Sequence, residues 1–235
     1  MATSQSMKWT GYLLIIAWVA LLVSVPLVRM GMVRPGLLAL ALGALLGTLL
    51  CVTLIVLKLV PKADTPMDIW GKRILLSLPL AVLFVSLATS GRGVPPIHDI
   101  TTDTTNPPVF TSAPQQRGPD ANPLDIKPDS IAQQREAYPD VVPITVNIDP
   151  ASAYARALET ARDLGWEVYY EAPDGSSFEA VDTTLWMGFK DDIVVRVTPA
   201  AGGAQVDLRS VSRVGVSDVG ANAKRIRRFS TRFGG

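Results

Sequence analysis

Three runs without a single Asp, Glu, Lys or Arg constrain this chain more than any other feature: Trp9 to Val28, Pro35 to Leu57 and Ile74 to Gly91. Each is close to the roughly 20 residues that a helix needs to cross a hydrocarbon layer. Backbone amides in lipid must find their partners within the segment, so the runs predict three transmembrane helices joined as hairpins. The third is the shortest and carries Pro79, which membrane helices tolerate better than soluble ones. The mean hydropathy of +0.27, with only 18% charged residues, is unusual for a soluble protein, and the apolar excess lies almost wholly before Arg92. The first run is read as an uncleaved anchor. Its apolar part, Tyr12 to Val28, is longer than the roughly 7–15 residues of a signal-peptide core, and no small-x-small cleavage site follows it.

Basic residues set the expected orientation. Lys8 and the second loop (Lys58, Lys62, Lys72, Arg73) share one side, and Arg29, Arg34 and Arg92 the other. The bias favours a cytoplasmic N-terminus, which after three spans puts the following domain outside the cytoplasm. Trp9, Tyr12 and Trp70 fall near predicted helix ends, where aromatic rings favour the interface. Ala39, Gly43 and Gly47 recur at four-residue spacing, a pattern that lets helices approach closely within or between chains. Cys51, the only cysteine, sits in the second apolar run, so no internal disulfide supports the outer domain, and the thiol reads as a small packing residue.

The expected division is a membrane region at 1–92, a Pro-rich strap at 93–141 and an α+β domain at 142–235. Ten of the eighteen prolines lie between Gly93 and Pro143, a composition that does not form helix or sheet by itself. Ile97, Ile100, Val109 and Phe110 punctuate its first part and suggest a strap pinned to the domain rather than a free spacer. His98, the only histidine, lies beside Asp99 and near Asp103, but no further ligand or nucleophile accompanies it, so a hydrogen-bonded turn is the expectation.

Downstream, the alternation in Val142 to Ile148 predicts a half-buried strand. Asp149 and Pro150 start a helix that Gly165 stops. Two antiparallel hairpins follow, about PDG and AAGG turns, and a final helix closes the chain. The predicted fold is therefore a helical membrane region followed by a small α+β domain, with two helices packed on one face of an antiparallel sheet.

The stretch DLRSVSRVGVSDVGANAKRIRRF, Asp207 to Phe229, holds the candidate site. On a strand, Arg209, Val211 and Arg213 point to one face and Ser210 and Ser212 to the other. Gly215 turns the chain, Ser217 is the expected N-cap, Asp218 suits the helix dipole, and Val219, Ile226 and Phe229 share a stripe. One reading is purely structural: strand arginines, a capped helix and a solvated basic face. The other has Arg209, Arg213 and Lys224 to Arg228 flank the helix start and bind phosphate or carboxylate, with Arg209, Ser210, Ser212, Arg213, Asn222 and Lys224 as the candidate site residues.

Together with HDITTD and NPPVF, this stretch resembles a family of uncharacterised bacterial and plastid proteins known as domain of unknown function 1499. The likeness runs over roughly Pro95 to Phe229 and leaves the three spans outside. It implies a fold expectation and, with the three spans, a place in a bacterial inner (cell) membrane, but no established activity.

Ser217 to Gly235 carries five Lys or Arg against one Asp, whereas Gly93 to Val216 carries nine against eighteen Asp or Glu. A basic tail on an acidic body suits lipid head groups or an acidic partner. The chain lacks a G-x-S-x-G, a phosphate loop and zinc spacing, and Asp191 with Asp192 reads as a turn. No catalytic residue, metal or cofactor is predicted. The expected role is a binding module of the cell envelope, for membrane lipids, an anionic ligand or an envelope protein partner and not nucleic acid, with an envelope hydrolase or a structural subunit of a membrane complex as alternatives.

Overall fold

The computed structural model describes residues 2–59 and 67–234. Lys62, one of the second-loop cations, lies outside them. The chain begins with three helices, α1 (Ala2–Arg29), α2 (Val33–Leu59) and α3 (Met67–Ser90). Lys8–Arg29, Val33–Leu59 and Ile69–Ser90 are long and apolar enough to cross a membrane. The third reaches further back than its charge-free core because Lys72 and Arg73 join its first turns, where long cationic side chains can extend towards the interface.

The glycines of α2 explain how these helices pack. A Cβ on Gly43 would sit 2.8 Å from the Ala17 carbonyl oxygen of α1, and one on Gly47 only 2.4 Å from Leu80 Cβ of α3. The small-residue spacing thus serves helix contacts within one chain, with α2 between its two neighbours. Cys51 is buried on the same helix, as a packing residue should be.

A second compact unit comprises Gly93–Leu185 and Phe189–Gly235. Its elements are β1 (Asp99–Thr101), α4 (Ala113–Gln116), α5 (Pro128–Ala137), β2 (Ile144–Val146), α6 (Pro150–Asp163), β3 (Glu167–Glu171), β4 (Ser177–Thr183), β5 (Lys190–Ala200), β6 (Gly203–Ser212) and α7 (Ala221–Gly234). The sheet is antiparallel in the order β1-β6-β5-β4-β3, and β2 also pairs with β6. β1 pairs with Arg209 to Val211 of β6 and β2 with Ala204 to Val206, so the two are halves of one broken edge strand. Thr102 bridges the break: its amide donates to the Leu208 carbonyl, and its hydroxyl accepts from the Leu208 amide.

Alternation along the strands decides which layer covers which face. Phe178, Ala180, Ile193, Val195, Val206 and Leu208 face α6 and α7, where Ala153, Ala157, Ile226, Phe229 and Phe233 complete the main core. Trp166 stacks on Phe229 at 5.4 Å between ring centroids. The opposite face carries Val194 and Val211, and the strap closes it with Phe110, Ala113 and Leu124. The strap is therefore pinned, as its apolar punctuation suggests. It also contributes β1, α4 and α5, which its composition hides, because each is held by tertiary partners and not by local propensity.

The start of the last helix differs from expectation. Val219 and Gly220 both have positive φ, 53° and 79°, which inserts a turn after Ser217 and delays the helix to Ala221. Asp218, not Ser217, then accepts from the amides of Gly220 (2.8 Å) and Asn222 (2.9 Å). Val219 consequently leaves the helical stripe and is 45% exposed.

Burial pushes the Asp218 carboxyl up, against the pull of the Asn222 and Gly220 amides. A carboxyl raised on folding adds stability below its unfolded value of 3.8 and loses that contribution as pH rises through the folded value. Asp218→Asn should therefore gain on the wild type as pH is raised from about 4 to 7. Urea unfolding of the full chain in detergent at both pH values tests this; a constant difference would reject it.

Candidate functional site

The arginines and acids of the soluble unit meet in two layers, one on each face of the sheet. On the strap face, Arg209 of β6 forms a two-pronged pair with Asp99, at 3.0 and 2.8 Å, and donates to the Pro108 carbonyl at 3.2 Å. Its guanidinium also lies 5.2 Å from the Phe110 ring centroid. Arg213 grips Asp192 in the same two-pronged way, at 3.0 and 2.7 Å, and Arg117 of the strap donates to the same carboxylate. Arg196 joins Asp103 (3.0 Å) to Asp207 (3.1 Å). Glu179 is 1% exposed and accepts from the amides of Thr111, Ser112 and Ala113, so a β4 carboxylate holds the start of α4. Burial raises the Tyr169 phenol well above its ordinary value, with the Asp192 and Glu179 charges adding to the effect, so it stays neutral beside them.

On the helix face, Ser210 donates to the Asn222 side-chain oxygen at 2.7 Å, and the Asn222 amide nitrogen donates to Ser212 (3.0 Å) and the His98 carbonyl (2.9 Å). Arg225 completes this cluster, donating to Ser210 at 3.1 Å, to Asp182 at 2.7 Å and to Asp191. The sequence places Arg225 in the basic run Lys224 to Arg228 but not among the six candidate residues. The available signal was its place three residues after Asn222, on the same helical face.

The six candidate residues thus divide. Arg209 and Arg213 lie under the strap, Ser210 and Ser212 lie under α7, which supplies Asn222, and Lys224 is exposed. The arrangement joins sheet to strap and sheet to helix. Asp191 and Asp192 are strand residues whose charges these pairs use, and not a turn: both faces of β5 are covered, so the two carboxylates are buried on opposite faces against their arginines. In the basic tail, Arg225, Arg227 and Arg232 have carboxylate partners in Asp191, Asp140 and Asp163, while Lys224 and Arg228 face outwards. His98 places Nδ1 3.3 Å from the Val216 carbonyl, a turn contact. Among the described residues, no three His, Cys, Asp or Glu are grouped to hold a metal ion.

Open space lies elsewhere, outside the break between β1 and β2. The side-chain amide of Gln134 on α5 accepts from the Thr101 amide (3.0 Å) and donates to its carbonyl (2.6 Å), standing in for a neighbouring strand. This sets α5 away from the edge and leaves two cavities of about 380 Å³ each. Thr104, Thr105 and Arg135 line both. Tyr138, Val141 and Val142 add apolar surface to one, and Ile126 and Ile131 to the other. Arg135 stands between them with Nε and Nη2 bonded to the Thr104 hydroxyl, at 3.0 and 2.8 Å, and with no carboxylate partner among the described residues.

A family model described as protein of unknown function (DUF1499) matches residues 99–233, from the first residue of β1 into the last turn of α7. The match takes in the strap together with the sheet and leaves the three apolar helices outside. No curated protein matches the chain.

Proposed function

We propose a binding role, without catalysis, for this chain, which belongs to the DUF1499 family of proteins of unknown function. It is a membrane-anchored protein of the bacterial cell envelope, held in the inner membrane by its three apolar helices, with the soluble unit outside the cytoplasm. The unit takes a small anionic ligand, or the head group of an anionic lipid, in the cleft beside Arg135. The carrying observation is that cation. Where Arg117, Arg196, Arg209, Arg213 and Arg225 are matched to buried or half-buried carboxylates, Arg135 meets only a neutral hydroxyl and stands between two cavities. A phosphate or carboxylate accepts two parallel bonds from such a guanidinium, and Thr104 is released to add a third.

Arg209, Ser210, Ser212, Arg213, Asn222 and Lys224 support this reading indirectly. They fix the sheet on which the broken edge is built, and only Lys224 among them is free to meet a second, acidic partner at the surface.

Native mass spectrometry of the full chain released from detergent, with solvent extraction of the same sample, tests the proposal. A co-purified anionic mass that is lost in Arg135→Ala and retained in Lys224→Ala is expected. A bound mass that survives Arg135→Ala would move the site elsewhere, and a clean apo mass in the wild type would set the ligand reading aside.

A further inference from the structure

Of the large apolar residues exposed beyond Gly93 among the described residues, Val109 and Val142 lie apart and the other four gather in two loops. Leu185 (92% exposed) and Trp186 (51%) lie in the loop between β4 and β5, and Val216 (76%) and Val219 (45%) in the loop between β6 and α7. The sheet register puts both loops at one end. Thr183 pairs with Lys190 and Asp191 with Ser212, so the last residues of β4 and β6 and the first of β5 are level with one another. The turns at the opposite end, around Asp174 and Gly202, expose no large apolar side chain.

The chain arrives from the membrane at this same end. Asp99, the first residue of β1, pairs with Val211 near the end of β6. The approaching segment is stitched to the valine-bearing loop: Ser217 donates to the Pro95 carbonyl at 3.3 Å and the Asp218 amide to that of Ile97 at 3.0 Å. Ser90 ends the third apolar helix, so the first of these bonds, at Pro95, comes only five positions later. Fully extended, five residues reach at most about 18 Å. Lys190 and Lys224, both exposed, stand at the margin of this end, with charge that suits anionic head groups.

We infer that this end of the sheet is a membrane-contacting surface, in which Leu185, Trp186, Val216 and Val219 enter the interfacial layer of the chain's own bilayer. The occupant is lipid because the tether holds this end within reach of the head groups. An indole accompanied by aliphatic side chains, with two lysines at the margin, is the composition that interfacial segments use. The contact goes beyond the ligand reading and does not depend on Arg135, which lies at the other end of β1.

The test uses the full chain with Cys51→Ala, reconstituted in nanodiscs of phosphatidylcholine and phosphatidylglycerol, with a nitroxide attached through Leu185→Cys, Trp186→Cys or Val216→Cys. Asp174→Cys serves as the far-end control. All four sites are in surface loops, so the label itself leaves the core intact. The expected result is that the first three labels relax preferentially with oxygen over a polar nickel reagent, several-fold more than the control. Labels at 185, 186 and 216 that respond to both reagents as the control does would overturn the inference. So would labels shielded from both, which would mean that protein and not lipid covers this end.

Discussion

Asp192→Ala is expected to remove about 3–5 kcal/mol of folding stability, because it strips the shared carboxylate from two guanidinium groups that stay enclosed. The side chain of Asp192 is wholly buried, and those of Arg117 and Arg213 are 5% and 16% exposed. Arg213 has one further bond, to the Gln116 carbonyl, and Arg117 has two, to those of Asn122 and Ser212. None supplies a counter-charge. The matched control is Asp163→Ala, which breaks an exposed pair with Arg232 and should cost at most about 1 kcal/mol. Urea unfolding of the full chain in detergent, followed by near-UV circular dichroism, compares the two. Equal effects would mean that the strap yields and water reaches the arginines.

Glu179→Ala is the second large expectation, and its effect is local. Three amides, those of Thr111, Ser112 and Ala113, lose their shared acceptor at the start of α4. An enclosed amide without a partner costs about 1–3 kcal/mol, so the strap should detach and not remain in place with all three unmet. Hydrogen exchange is the direct measure. Amides from Phe110 to Arg117 should lose protection while those of α6 and α7 keep theirs. Glu179→Gln retains one acceptor oxygen and should fall between. Uniform loss of protection across the sheet would show that the strap and the main core unfold as one unit.

Both predictions concern the layer that the sequence showed least. The spans were legible from charge-free runs, and the hairpins from alternation and PDG or AAGG turns, since each signal is local. The two faces of β6 were legible as well: Arg209 and Arg213 do point away from Ser210 and Ser212. What alternation misses is that both faces are covered. Arg209 finds Asp99 at a separation of 110 residues, and a charged strand face reads as solvent-facing until its remote partner is known. The strap was opaque for a related reason. Its hold comes chiefly from backbone amides on one carboxylate and from carbonyls on arginines, and composition records neither. The cleft beside Arg135 had no motif at all, because it arises from the gap between two halves of an edge strand.

That broken edge also governs the order in which the protein can be completed during its own synthesis. β1 and β2 both wait for β6, whose first residue, Gly203, follows Thr101 by roughly 100 positions, which at about 5–20 residues per second is on the order of 5–20 s of translation. Until then neither short strand has its ladder partner, and the Asp192 and Asp99 carboxylates have yet to meet Arg213 and Arg209. A nascent chain interrupted before Gly203 would carry its membrane helices and its whole strap but lack the strand to which β1, β2 and β5 all pair.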